Sequence, residues 1–333
     1  MKLFLVLLIV GLTEVFPSPL NTKSDEARWT IARDGEGKMH LVDLYPVDAE
    51  TEPAFNPEFD MFFLLFTRSN PTEGQRITWS AESIGQSNFR RGAQTRILIH
   101  GWTTSSEATE NIFTTRDFLT FGDYNVIVVD WSVGASANYI TSRNRVGQAG
   151  EIVARLIDFL HQNNYVDLSN INLIGHSLGS HVAGFTGKNV QSGKVNAIFG
   201  TDPAGPLFNI NNPSNRLDVD DAIYTEAIHT NAGTLGFDEP ITHASFYPNF
   251  GRSQPGCGND IGGSCAHARG PLFYAESINS NRFVARQCAN YNEIASQNCP
   301  GTGTTAIMGG DSAKSIRGVF FLTTNSESPF AQG

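Results

Sequence analysis

Past its opening residues the 333-residue chain has no apolar run long enough to cross a bilayer. It lacks basic excess: 23 Lys and Arg stand against 33 Asp and Glu, a net charge of −10. That balance disfavours nucleic acid and polyanionic partners, and leaves neutral lipid surfaces open. There is no internal repeat and no low-complexity tract. No Asn-x-Ser/Thr acceptor is free of proline, because Asn70 and Asn212 are each followed by Pro. Cysteine is scarce: there are four, all after residue 256, and none in C-x-x-C spacing. Zinc is therefore disfavoured, and no metal or cofactor is expected. An even count in an exported chain reads as disulfides with three possible connectivities. Sequential pairing is adopted, Cys257–Cys265 and Cys288–Cys299, closing loops with seven and ten residues between.

What is present begins with a leader. Lys2 precedes the apolar stretch Leu3 to Leu12, and a polar, Pro-containing segment follows. Residues 1–19 are expected to be a signal peptide whose cleavage point is undefined, and the protein is expected to be secreted. Residues 20–58 read as an extended lead-in with one short strand at "MHLVDLY", and 59–333 as the folded domain. With 40% hydrophobic and 17% charged residues, that domain has ample core. Apolar strand-like runs ("MFFLLFTR", "TRILIHGW", "NVIVVDW", "INLIG", "NAIFGTD") alternate with helical patterns. Val146 to Asn163 carries Ile152, Val153, Leu156, Ile157 and Leu160 on one side. The alternation predicts an α/β fold: a mostly parallel sheet with helices on both faces and ligands at the carboxyl ends of the strands. After residue 230 the texture turns to loops, then a helix near "PLFYAESI" and a final strand "VFFLTT".

Gly175-His176-Ser177-Leu178-Gly179 matches G-x-S-x-G between an apolar strand and a helical segment. A nucleophile on so sharp a turn has a strained backbone, so its close neighbours must be glycine. The competing role for Ser177 is a helix N-cap, which would not need glycine on both sides. A serine hydroxyl needs a base and the base needs an orienting acid, here in the order Ser, acid, His. Asp202, at the end of the next strand, is the candidate acid. Asp130 precedes the serine, and Asp218, Asp220 and Asp221 read as a solvated face or a helix start. Of the later histidines, His267 sits between a cysteine and a helix. His229 reads as a structural residue in a strand, His243 remains a rival in a loop, and His100 and His176 come too early. The oxyanion needs two N–H donors, expected on Leu178 and Trp102.

The stretches "GHSLGSHVAG", "FGTDPAGPLF", "ILIHGW", "VIVVDW" and "CAHARGPLFYAESI" resemble the pancreatic lipase family from about residue 60 to the end. The resemblance implies an α/β-hydrolase fold. It implies Ser177, Asp202 and His267 as nucleophile, acid and base, and places Trp102 and Leu178 at the oxyanion positions. It further implies a lipid substrate at membranes, micelles or emulsions, and a monomer is expected. Three departures carry expectations of their own. The chain ends before a C-terminal β-sandwich, so no colipase is expected. The lid, held in the family by the pair matching Cys257 and Cys265, has only seven residues. A short lid leaves room for a polar headgroup and in this family is associated with phospholipase A1 and galactolipase activity, so sn-1 acyl hydrolysis of polar lipids is expected, with triacylglycerol hydrolysis as the alternative. The calcium loop is matched only by Arg216, Asp218 and Asp221, with Pro213 where an acidic ligand belongs. A catalytically inactive lipid-binding or yolk-type protein is the alternative of another class, and the presence of all three catalytic residue types argues against it.

Overall fold

The computed structural model describes residues 29–33, 39–43 and 54–333. The expected leader lies outside the described residues, as does most of the lead-in. The strand expected near "MHLVDLY" is Met39–Asp43, paired antiparallel with Trp29–Arg33.

All other strands join one sheet. They are β1 Phe62–Phe66, β2 Gln75–Ile77, β3 Thr95–Ile99, β4 Asn125–Asp130, β5 Ile171–His176 and β6 Ala197–Thr201. Then follow β7 Tyr224–Ile228, β8 Ala244–Pro248, β9 Val284–Cys288, β10 Thr305–Ile307 and β11 Gly318–Leu322. The spatial order is β10-β9-β11-β8-β7-β6-β5-β3-β4-β1-β2. The seven strands from β11 to β4 run parallel, and antiparallel strands close both edges.

β3 and β4 read as unbroken apolar runs because both faces are covered. Ile97, Ile99, Ile127 and Val129 share one core with helices α2 (Tyr139–Gln162) and α3 (Leu178–Asn189). Leu98, Val126, Val128, Ile174 and Phe199 share the other with α1 (Thr109–Phe121) and α4 (Ser264–Ile278). On α2, Val146, Ala149, Gly150, Val153, Ile157 and Leu160 form the buried stripe. It begins earlier than its apolar pattern, at Tyr139, because the Asn138 side chain accepts from Thr141 N at 3.0 Å and caps a polar first turn.

The region after residue 230 departs from the sequence reading. It contributes a central parallel strand, β8, between β7 and β11, and the edge pair β9 and β10. α4 starts at Ser264 and takes Pro271 into its interior, where the sequence suggested a helix beginning near that proline. Among the described residues no helix is long and apolar enough to cross a membrane.

Candidate active site

β5 is followed directly by Ser177, whose φ of 55° and ψ of −124° lie where L-residues rarely sit. The turn is possible only with its glycines. A Cβ on Gly175 would stand 2.3 Å from Gly179 O, and one on Gly179 would stand 2.2 Å from Ile99 O. Ser177 occupies the N-cap position of α3, yet its side chain makes no capping bond. The hydroxyl is thus not spent on the helix. It makes no direct hydrogen bond to His267 either.

Asp202 follows β6 and is fully buried, with φ of 48°. Oδ1 accepts from Thr230 N at 2.6 Å and Asn231 N at 2.9 Å, and Oδ2 accepts from His267 Nδ1 at 2.5 Å. Two backbone donors and an imidazole hold the carboxylate from both sides. Gly236 permits this, since a Cβ there would meet Asp202 Oδ1 at 2.5 Å. Burial, then the neighbouring His176, pulls His267 below the ordinary histidine pKa, and Asp202 opposes them. A neutral imidazole with Nδ1–H committed to a carboxylate has its Nε2 lone pair free to take a proton.

His267 lies in the first turn of α4, just past the Cys257–Cys265 disulfide. Asp260, inside that disulfide loop, accepts from Cys265 N at 3.0 Å and Ala266 N at 2.8 Å, satisfying the exposed donors of the helix start. The second disulfide, Cys288–Cys299, anchors β9 far along the sheet.

The loop after β3 packs against the serine: a Cβ on Gly101 would lie 2.9 Å from Ser177 Cβ. Its Trp102 anchors there by donating from Nε1 to Ala137 O at 2.9 Å. Among the described residues, neither the Trp102 N–H nor the Leu178 N–H donates a hydrogen bond to the protein. Both are available to an anion beside Ser177.

The rival residues are otherwise engaged. Asp130 accepts from Ser106 N and Ser132 N. His243 Nδ1 accepts from Thr225 N at 3.0 Å, at the opening of β8. His229 is buried, donating from Nδ1 to Phe237 O and stacked on Tyr247. His100 donates from Nδ1 to Gly101 O and accepts at Nε2 from Trp131 N, which fixes it as a neutral strut for the loop. The Thr230 and Asn231 amides that hold Asp202 carry no sequence signal, being backbone. Glu110, which meets His176 at 3.5 Å, has none beyond an acidic residue in a first helical turn.

The loop of the family's calcium site does not fit an ion. Asp221 is ion-paired with Lys188 and accepts from Asp218 N at 2.8 Å, while Asp218 pairs with Arg216 Nη1 at 2.7 Å. An ammonium and a guanidinium already supply the positive charge a cation would bring.

A model of the Lipase family matches residues 42–330. The chain is 33% identical over 350 residues to the pancreatic triacylglycerol lipase of Mus musculus, covering 96% of this chain and 72% of that protein. It is 30% identical over 361 residues to that of Homo sapiens, covering 99% and 75%. It is 31% identical to pancreatic lipase-related protein 2 of Cavia porcellus, covering 96% and 74%. With a match that runs through every element around Ser177, the chain belongs to the pancreatic lipase family, lipid-ester hydrolases on the α/β-hydrolase fold.

Proposed function

We propose that this protein is a secreted triacylglycerol lipase in which Ser177 is the nucleophile, His267 the general base and Asp202 its orienting acid. The observation that supports it most is the 2.5 Å Nδ1–Oδ2 bond of His267 to a buried Asp202, beside a serine that caps nothing. His267 Nε2 takes the Ser177 proton as Oγ attacks the ester carbonyl. The Trp102 and Leu178 N–H groups receive the oxyanion. The proton passes to the departing glycerol oxygen, and an acyl-enzyme forms. Water, deprotonated by the same imidazole, then releases the fatty acid and restores Ser177. The two disulfides accord with an oxidising compartment. The triacylglycerol substrate follows the names of the relatives.

A second reading, phospholipase A1 or galactolipase action at sn-1, rests on the Cys257–Cys265 loop. It spans only eight positions of sequence, and on this reading so short a loop would leave room for a polar headgroup. The deciding experiment compares fatty-acid release from emulsified triolein, sn-1-labelled phosphatidylcholine and a galactolipid, with Ser177→Ala as blank. Preference for triolein supports the first reading and preference for the polar lipids the second. Release undiminished in Ser177→Ala, or no release from folded protein, overturns the catalytic assignment.

A further inference from the structure

Asn231 lies just past the end of β7 and is 3% exposed. Its backbone N–H is one of the two that hold Asp202 Oδ1. Its carbonyl accepts from Thr234 N at 3.2 Å and Gly236 N at 3.0 Å, which curls the chain into a tight loop beside the acid. In the side chain, Oδ1 accepts from Leu235 N at 3.0 Å and Nδ2 donates to Arg252 O at 3.2 Å. Both partners are backbone groups of fixed polarity, so the amide has one orientation.

The same amide meets the disulfide loop. Gly263, the last residue before α4, has φ of 76° and lies against Asn231. A Cβ on Gly263 would overlap Asn231 Oδ1 and Nδ2 and stand 2.7 Å from Cγ, so the approach requires glycine. Gly263 O in turn accepts from His267 N at 2.8 Å. The contacts close a ring. Asp202 binds the Asn231 backbone, the Asn231 side chain packs on Gly263, Gly263 binds the His267 backbone, and the His267 imidazole returns to Asp202. Asp260 orders the helix start from within its own loop, whereas Asn231 ties that start to the acid's side.

We infer that Asn231 is a positioning residue for the acid–base pair: its side chain sets where α4 begins against the loop that holds Asp202, and so sets the separation of His267 from Asp202. The inference rests on the assignment of Asp202 and His267 as acid and base. Those two residues are 65 positions apart in sequence, so their 2.5 Å contact depends on the segments that carry them. A misplacement of about 1 Å at a catalytic group can cost about 10²-fold in rate. Cutting Asn231 to alanine leaves Leu235 N and Arg252 O without their partner and opens a gap beside Gly263, into which the helix start can shift. A methyl group on Gly263 pushes the same two segments apart.

The test compares Asn231→Ala, Gly263→Ala and their double variant in the full chain, with Gly92→Ala as control. Gly92 shares the φ of 76° but has nothing within 4 Å of where its Cβ would go, so it carries the backbone strain without the overlap. On a soluble ester, kcat falls about 10- to 100-fold in Asn231→Ala and Gly263→Ala with KM near wild type, and Gly92→Ala keeps its kcat. The double variant is no worse than the poorer single variant, where independent sites would multiply their losses. Multiplied losses, or a lowered Tm with kcat unchanged in Asn231→Ala, overturn the inference. Proton NMR reads the geometry without activity. The His267 Nδ1–H shared with the Asp202 carboxylate resonates far downfield and is identified by its loss in His267→Ala. It moves or vanishes in Asn231→Ala and persists in Gly92→Ala; an unchanged resonance in folded Asn231→Ala overturns the inference. If His267→Ala stays active while the resonance responds as expected, the assignment of the base fails and the positioning by Asn231 stands.

Discussion

Replacing Asp202 by asparagine changes almost no volume in a fully buried site, so its effect isolates charge and tautomer. Oδ1 accepts two backbone N–H groups, from Thr230 and Asn231, and an amide NH2 cannot take that place without setting donor against donor. The asparagine oxygen therefore stays on that side and its NH2 turns to His267 Nδ1. Nδ1 must then become the acceptor, and the proton moves to Nε2, the nitrogen that in the proposed mechanism must offer Ser177 a lone pair. Losing the base in this way costs on the order of 10³- to 10⁴-fold in kcat, or about 4–5.5 kcal/mol at the transition state. Losing one charged hydrogen bond costs about 1.5–3 kcal/mol of folding stability, so the variant stays folded. Initial rates on a soluble ester and on emulsified triolein, with circular dichroism as the control, give kcat reduced and KM near wild type. Activity within tenfold of wild type would refute the tautomer argument.

Three further outcomes are expected. Burial holds His100 and His229 below the ordinary histidine pKa and His181 down to about 3. All three resist protonation in the fold while the unfolded chain takes up protons below about pH 6.5, so stability is full above that value and falls as pH drops below it, the His181 contribution continuing to fall toward about pH 3. Thermal melts from pH 8 to 4 should decline only below about 6.5, and a Tm that rises on acidification contradicts this. Cys257→Ser/Cys265→Ser removes about 2–3 kcal/mol by loop entropy and loosens the start of α4, so activity should fall more than Tm, and unchanged kcat counts against it. Excess EDTA should leave Tm and activity untouched, because Lys188 and Arg216 already neutralise Asp221 and Asp218; a Tm lowered by EDTA and restored by calcium would show an ion in that loop.

The parallel heart of the sheet was legible because β3 and β4 are each buried on both faces and so spell continuous apolar runs. β8 was not. "ASFYP" mixes small, polar and aromatic residues and ends in proline, and it is a strand only because β7 and β11 flank it. α4 was legible in its apolar half. Its first turn carries little helix signal of its own and depends on Asp260, a residue of the preceding loop. Around the candidate site, the residue types and their order pointed to Ser177, Asp202 and His267. The amides behind Asp202 and the Glu110–His176 contact come from elements far apart in sequence, so no local pattern could announce them.

The cap supplied by Asp260 joins two properties that are usually altered separately. The short loop that, on the second reading, would govern which lipids enter also fixes the start of the helix bearing the proposed base. Grafting a longer covering loop between Cys257 and Cys265 to change substrate range would remove that carboxylate unless the graft carries its own. Engineered chimeras here should lose turnover before they gain selectivity, and recover it when an aspartate is restored at the equivalent distance from the second cysteine.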